Sequence, residues 1–164
     1  MTIDDNISQT LSALKEKAPV GYALAFHIRF TTPTFLFQSY PKAWTDYYSQ
    51  NGLVMSDPTV AWGFENLGTK RWSELAENDP ADVMGKAAEH GLAYGVTIAV
   101  EADESRSLSS FARGDREFDA VETAALEADV RRLHEMTAQI SALSPDLAQE
   151  LRKMSVIVAA GGEA

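Results

Sequence analysis

With 164 residues, 45% apolar side chains and a formal net charge of −10, the chain is sized for one folded domain, and its composition excludes a disordered or fibrous protein. A surface this acidic repels phosphate backbones, so direct nucleic-acid binding is not expected of it. The absence of cysteine removes disulfides, thiolate nucleophiles and cysteine metal sites and fits a cytoplasmic location; the N-terminus MTIDDNIS lacks the basic-then-apolar pattern of a signal peptide, and no apolar run reaches membrane-spanning length.

Residues 5–17 predict an amphipathic helix, capped by Asp5 or Asn6, with Ile7, Leu11 and Leu14 in one stripe and Ala18-Pro19 as its stop. Over residues 20–30 the period changes to two. Val20, Tyr22, Leu24, Phe26, Ile28 and Phe30 share one face; Gly21, Ala23, Ala25, His27 and Arg29 share the other. That predicts a strand whose second face, lined by small residues, leaves room for core packing or for a ligand. A TTPT turn returns the chain as a second strand over residues 35–39.

A helix is predicted over about residues 41–51, with Pro41 in its first turn and Gly52 at its end. Asp57-Pro58 opens another helix to about residue 67, closed by Gly68, and residues 69–75 read as a loop carrying Trp72. Asp79-Pro80 caps a helix that runs to about His90 and stops at Gly91. Residues 93–100 and 107–112 form a second hairpin about a turn at 103–106. The longest helix spans residues 118–143, with Val121, Ala125, Ala128, Leu133, Met136 and Ile140 as its apolar face. Ser144-Pro145 starts an extra C-terminal helix over 144–159, striped by Leu147, Leu151, Met154 and Val158. Two hairpins with helices before, between and after them imply an α/β (α+β) fold: an α-β-α sandwich whose central antiparallel sheet is covered by helices on both faces. Residues 1–164 are expected to form a single domain with its core at about 5–142.

Aromatic residues concentrate between residues 40 and 72. Trp44 and Tyr48, four apart on one helix, share a face, and Tyr40 lies one turn earlier. Their apolar bodies carry polar tips, two hydroxyls and an indole N–H, and Asp57 supplies one carboxylate nearby. By spacing alone the set is either core with Asp57 as a helix cap, or the wall of a small-molecule pocket.

The pattern Tyr40-x3-Trp44-x3-Tyr48-x8-Asp57-Pro58, with Trp72 further on, resembles the signal-binding domain of LuxR-type quorum-sensing regulators, which bind N-acyl-homoserine lactones. Asp57-Pro58-Thr59-Val60 and GLAYGVT over residues 91–97 agree as well, and Ser110 falls where that family carries a Ser or Thr facing the acyl chain. The resemblance implies the same sandwich, with the ligand between the sheet and one helical layer. It implies Trp44 as donor to the lactone carbonyl, Asp57 as acceptor for the amide N–H, Tyr40 as donor to the amide carbonyl, and Ser110 as a second donor there or to a 3-oxo group. Tyr48 and Trp72 become apolar walls, and Thr59 belongs to the site through the Asp57 motif. No cofactor or metal is expected beyond the signal itself.

The implied partners are the small-molecule autoinducer and a second copy of the chain or a related regulator, with no membrane. Relatives usually carry a helix-turn-helix domain after the long helix; LSPDLAQEL begins somewhat like one but reaches no recognition helix. The chain is therefore expected to be a piece of a longer regulator or a domain without its own DNA reader that pairs with and modulates a full-length one. A sensor of a different acylated or aromatic signal is the alternative. An enzyme is not expected: His27, His90 and His134 show no metal-ligand spacing, and there is no GxSxG motif.

Overall fold

The computed structural model describes residues 3–30 and 32–143, with side chains over 5–30 and 32–139. In chain order its elements are α1 (Ile3–Lys17), β1 (Gly21–Arg29), β2 (Thr32–Gln38), α2 (Lys42–Gln50), α3 (Pro58–Glu65), β3 (Gly68–Arg71), α4 (Val83–Glu89), β4 (Tyr94–Ala102), β5 (Ser105–Arg113) and α5 (Ala120–Leu143). The strands form one antiparallel sheet in the order β2-β1-β5-β4-β3. The expected helix over 144–159 lies outside the described residues.

Period-two alternation divides the sheet into a large-residue face and a small-residue face. Leu24, Phe26, Phe35, Phe37, Val96, Ile98 and Phe111 point to one side and bury against Ile7, Leu11 and Leu14 of α1 and Leu126, Val130 and Leu133 of α5. The other side of the same strands carries Gly95, Ala23, Ala25, Ser110 and Ala112, which alternate with those large residues. Small side chains there leave space between the sheet and the overlying helices α2, α3 and α4. The helix layers on both faces are those the sequence predicted.

Residues 69–75 were expected as loop. Instead GTKR forms the edge strand β3, paired to β4 from Gly68↔Ala99 to Arg71↔Val96. A four-residue polar edge strand has no alternation to read, because its outer side faces water. Helix α4 begins at Val83, later than expected, and its N-cap is Asp82 rather than Asp79; the Asp79 carboxylate accepts from the Val83 and Met84 amides at 2.9 and 2.8 Å from outside the cap.

Strict alternation in β1 fails at its end. The pairing of β1 with β5 shifts by one between Ala25 and Ile28, and His27 sits in the left-handed region at φ 56°. This bulge sends Phe26 and His27 to the α1/α5 side and turns Ile28 to the other face, while Phe30 is left exposed. His27, expected beside Ala25, is instead buried beneath α5.

There His27 belongs to a buried polar network. Its Nε2–H donates to the His134 carbonyl at 3.0 Å and its Nδ1 accepts from the Ser105 hydroxyl at 2.7 Å. The Ser107 hydroxyl donates to His134 Nδ1 at 2.7 Å and accepts from the His27 backbone N–H at 3.0 Å. The network recruits His134 and Thr137 into the inward face of α5, so that face runs through Leu126, Val130, Leu133, His134 and Thr137. The expected apolar face agrees at Leu133 and Met136, which bury in or pack on the core, and fails at Val121 and Ala128, which are exposed.

Burial, and then the neighbouring His134, hold the His27 pKa below the ordinary 6.5. Between the lowered native value and 6.5 the unfolded chain binds more protons, so stability rises with pH there. The contribution is complete above about 6.5 and is lost as pH falls below it. Denaturant melts should therefore show a loss on going from about pH 7.5 to about pH 5.5 that shrinks in His27→Gln. An equal loss in the variant would show that His27 is not the group responsible.

Candidate functional site

Between the small-residue face of the sheet and helices α2, α3 and α4 lies a cavity of about 380 Å³. Its walls include Tyr40, Trp44, Tyr48, Asp57, Thr59, Trp72 and Ser110, all seven residues singled out from the sequence. The structure thus brings them together around one space, of the size and apolar character that small-molecule sites have.

Local signals build the walls. Pro41 precedes α2, and Gly52 ends its run in a left-handed turn at φ 58°, conformations that suit these residues. Along α2, Trp44 and Tyr48 meet edge to face with ring centroids 5.6 Å apart. Trp44 is 4% exposed, backed by His90 at 5.3 Å, a histidine to which the sequence gave no role. Asp57 is the N-cap of α3 and Pro58 its first residue.

Asp57 does more than cap. Its Oδ1 accepts from the Thr59 N–H at 2.8 Å and from the Thr59 hydroxyl at 2.7 Å. Its Oδ2 accepts from the Tyr48 hydroxyl at 2.6 Å. Tyr48, expected as an apolar wall, is therefore the tie between α2 and the N-terminus of α3. Thr59 is the clamp that fixes the carboxylate's orientation. A carboxylate has about four acceptor sites; three are used, and one on Oδ2 is left.

On the sheet side, the Trp72 indole N–H donates to Thr97 Oγ1 at 3.1 Å, and Thr97 Oγ1 lies 2.7 Å from Ser110 Oγ. The Trp72 ring lies flat over Gly95, where any Cβ would overlap it. The polar edge of Trp72 is thus already paired within the protein. The Thr97 contact was missed; its place in GLAYGVT was the available signal.

Among the described residues, two aromatic donors of this wall remain unpaired. Trp44 has no hydrogen-bond partner for its indole N–H among the described residues. The Tyr40 hydroxyl is buried without a partner. Burial, and then the Asp57 charge, raise the Tyr40 pKa far above the phenol range, and Tyr48 is raised by the same causes. Both hydroxyls are therefore held as donors. Two other buried polar side chains lack partners among the described residues, Ser109 and Glu117, but neither lines the cavity. Further walls that the sequence did not single out are Gln38, Leu36, Met84 and Leu108.

No group of three His, Asp or Glu side chains among the described residues could hold a metal ion, and no described helix is long and apolar enough to cross a membrane. Residues 21–140 match the family model described as autoinducer binding domain. The quorum-sensing regulator RhlR of Pseudomonas aeruginosa, of helix-turn-helix type, is 26% identical over 121 residues, 73% of this chain and 50% of that protein. The chain thus spans about half the length of this curated relative.

Among solved structures, Escherichia coli SdiA superposes with a TM-score of 0.62 at 22% identity, over 89% of this chain and 63% of that one. SdiA in complex with octanoyl-rac-glycerol gives 0.64 at 21%, covering 90% and 63%. The N-acylhomoserine-lactone-dependent factor CepR2 of Burkholderia cenocepacia gives 0.53 at 19%, covering 90% and 99%. At such identities these likenesses speak for the fold.

Proposed function

The chain belongs to the autoinducer-binding domains of LuxR-type quorum-sensing regulators, and from that premise we propose that its cavity binds an N-acyl-homoserine lactone. The family is a signal receptor and not an enzyme. The observation that carries the proposal is a set of open polar valences at the aromatic end of a mostly apolar space: the Tyr40 hydroxyl, the Trp44 N–H and one acceptor site on Asp57. A buried hydroxyl without a partner is costly, so its retention calls for a ligand acceptor.

An acyl-homoserine lactone complements that set. Trp44 donates to the lactone carbonyl, Asp57 accepts from the amide N–H, and Tyr40 donates to the amide carbonyl. Ser110 adds a donor beyond it. Tyr48 and Thr59 act through Asp57, which they hold in place, and Trp72 closes the wall. The acyl tail lies over Ala23 and Ala25 toward Leu36 and Leu108. No cofactor enters the scheme. The domain pairs with a second copy or a related regulator.

Titrating a series of lactones of increasing acyl length tests this. Affinity and melting temperature should rise with tail length until the cavity is full, by about 0.8 kcal/mol per buried CH₂, roughly fourfold in affinity. A response that ignores tail length while the protein binds other acylated molecules would favour the second reading, another acylated signal. The octanoyl-glycerol bound in SdiA gives that reading its ground.

A further inference from the structure

The floor of the cavity is laid in rungs that cross the sheet. One rung is Gln38–Ala23–Ser110–Thr97, continuous through the pairs Ala23↔Gln38, Ala23↔Ser110 and Thr97↔Ser110. The next rung on the same face is apolar: Leu36–Ala25–Leu108–Ala99. The rung on the other side is small, Gly21–Ala112–Gly95, and lies under the aromatic residues. A polar band therefore separates the aromatic end of the cavity from its apolar end.

Within that band Gln38 and Ser110 flank Ala23. Gln38 and Ser110 are separated by two strand spacings, about 10 Å between Cα atoms, with a methyl side chain between them. A chain lying on Ala23 runs between the Gln38 carboxamide and the Ser110 hydroxyl. Both residues line the cavity, and the Gln38 side chain has no hydrogen-bond partner among the described residues.

The polarity of Ser110 follows from its neighbours. Thr97 is fully buried, and its oxygen accepts from the Trp72 indole. The proton of the Thr97 hydroxyl needs an acceptor, and Ser110 Oγ at 2.7 Å is the one present. Ser110 thus accepts from Thr97 and turns its own proton toward the cavity. Gln38 offers both a donor and an acceptor.

We infer that Gln38 is a specificity-determining residue which, opposite Ser110, selects acyl chains bearing an oxygen close to the amide over plain chains; this rests on the acyl-lactone reading. An oxo group on the third acyl carbon accepts from Ser110 and from the Gln38 amide. A hydroxyl there accepts from Ser110 and donates to the Gln38 carbonyl oxygen. A plain chain strips water from both side chains and returns nothing, because a site built to hydrogen-bond an oxygen rejects the analogue that lacks it.

The test is a binding matrix: plain, 3-oxo and 3-hydroxy lactones of one tail length against the wild-type protein, Gln38→Leu and Gln38→Glu. The wild-type protein should prefer both oxygenated chains by about tenfold, equivalent to about 1.4 kcal/mol. Gln38→Leu should reduce that preference to about threefold or less and bind the plain chain more tightly. Gln38→Glu, an acceptor without a donor, should keep the 3-hydroxy chain and lose the 3-oxo preference. No oxygen preference in the wild-type protein, or one that Gln38→Leu leaves intact, would overturn the inference while leaving lactone binding standing. Binding of no lactone at all by the wild-type protein would overturn both.

Discussion

Asp57→Ala should lower folding stability by about 2–4 kcal/mol in the absence of any ligand. Two losses add. The first is the N-cap of α3, worth about 1 kcal/mol, since the Thr59 N–H loses its acceptor. The second is larger: the Tyr48 hydroxyl, 2.6 Å from the carboxylate, would be left unpaired in a partly buried place, at about 1–3 kcal/mol. Urea denaturation of the unliganded protein measures the sum. Asp57→Asn separates the two, because Asn caps about as well as Asp while its neutral amide weakens the charge-assisted Tyr48 bond. A loss of about 1 kcal/mol is expected for Asn. If both variants were neutral, the tie from α2 to α3 through Tyr48 and Asp57 would carry no weight in the fold.

The features legible in the sequence were those fixed by neighbours in the chain. Asp57-Pro58 announces a cap because both residues act within one helical turn, and Gly52 ends its run for an equally local reason. Trp44 and Tyr48 share a face by helical spacing alone, and Tyr40 joins them from the segment just before α2. Their convergence with Trp72 and Ser110 on one cavity depends on the sheet, and the family pattern anticipated it.

What escaped was set by pairing across the chain. The bulge at His27 reverses the facing of Ile28, and no alternation rule foresees a histidine in the left-handed region. The face of α5 was partly misplaced because His134 and Thr137 are buried by hydrogen bonds to β1 and to their own helix, which an apolar count ignores. Gln38 passed unnoticed for a related reason. Its meaning comes from Ser110, two strands away and 72 positions on, through a register that exists only in the folded sheet. Tyr48 was assigned to the right place with the wrong duty, since helical spacing says where a phenol points but not which carboxylate it meets.

The second large effect concerns Tyr40, whose hydroxyl is buried and unpaired. A side chain kept only for packing gains nothing from such a hydroxyl. Tyr40→Phe should therefore stabilise the unliganded protein, by about 1 kcal/mol, because the variant buries no unmet donor. The same change should weaken lactone binding by about 1–3 kcal/mol, since the amide carbonyl of the ligand then enters the cavity without its donor. The opposite signs are the point: few substitutions raise stability and lower affinity unless the removed group serves the ligand. The most direct measurement is a paired one on the wild-type protein and Tyr40→Phe, unfolding free energy without ligand and lactone affinity by calorimetry. A more stable variant that binds about tenfold or more weakly is the expected result. A variant that is less stable and binds the lactone as tightly as the wild-type protein would contradict the assignment of this cavity as the signal site.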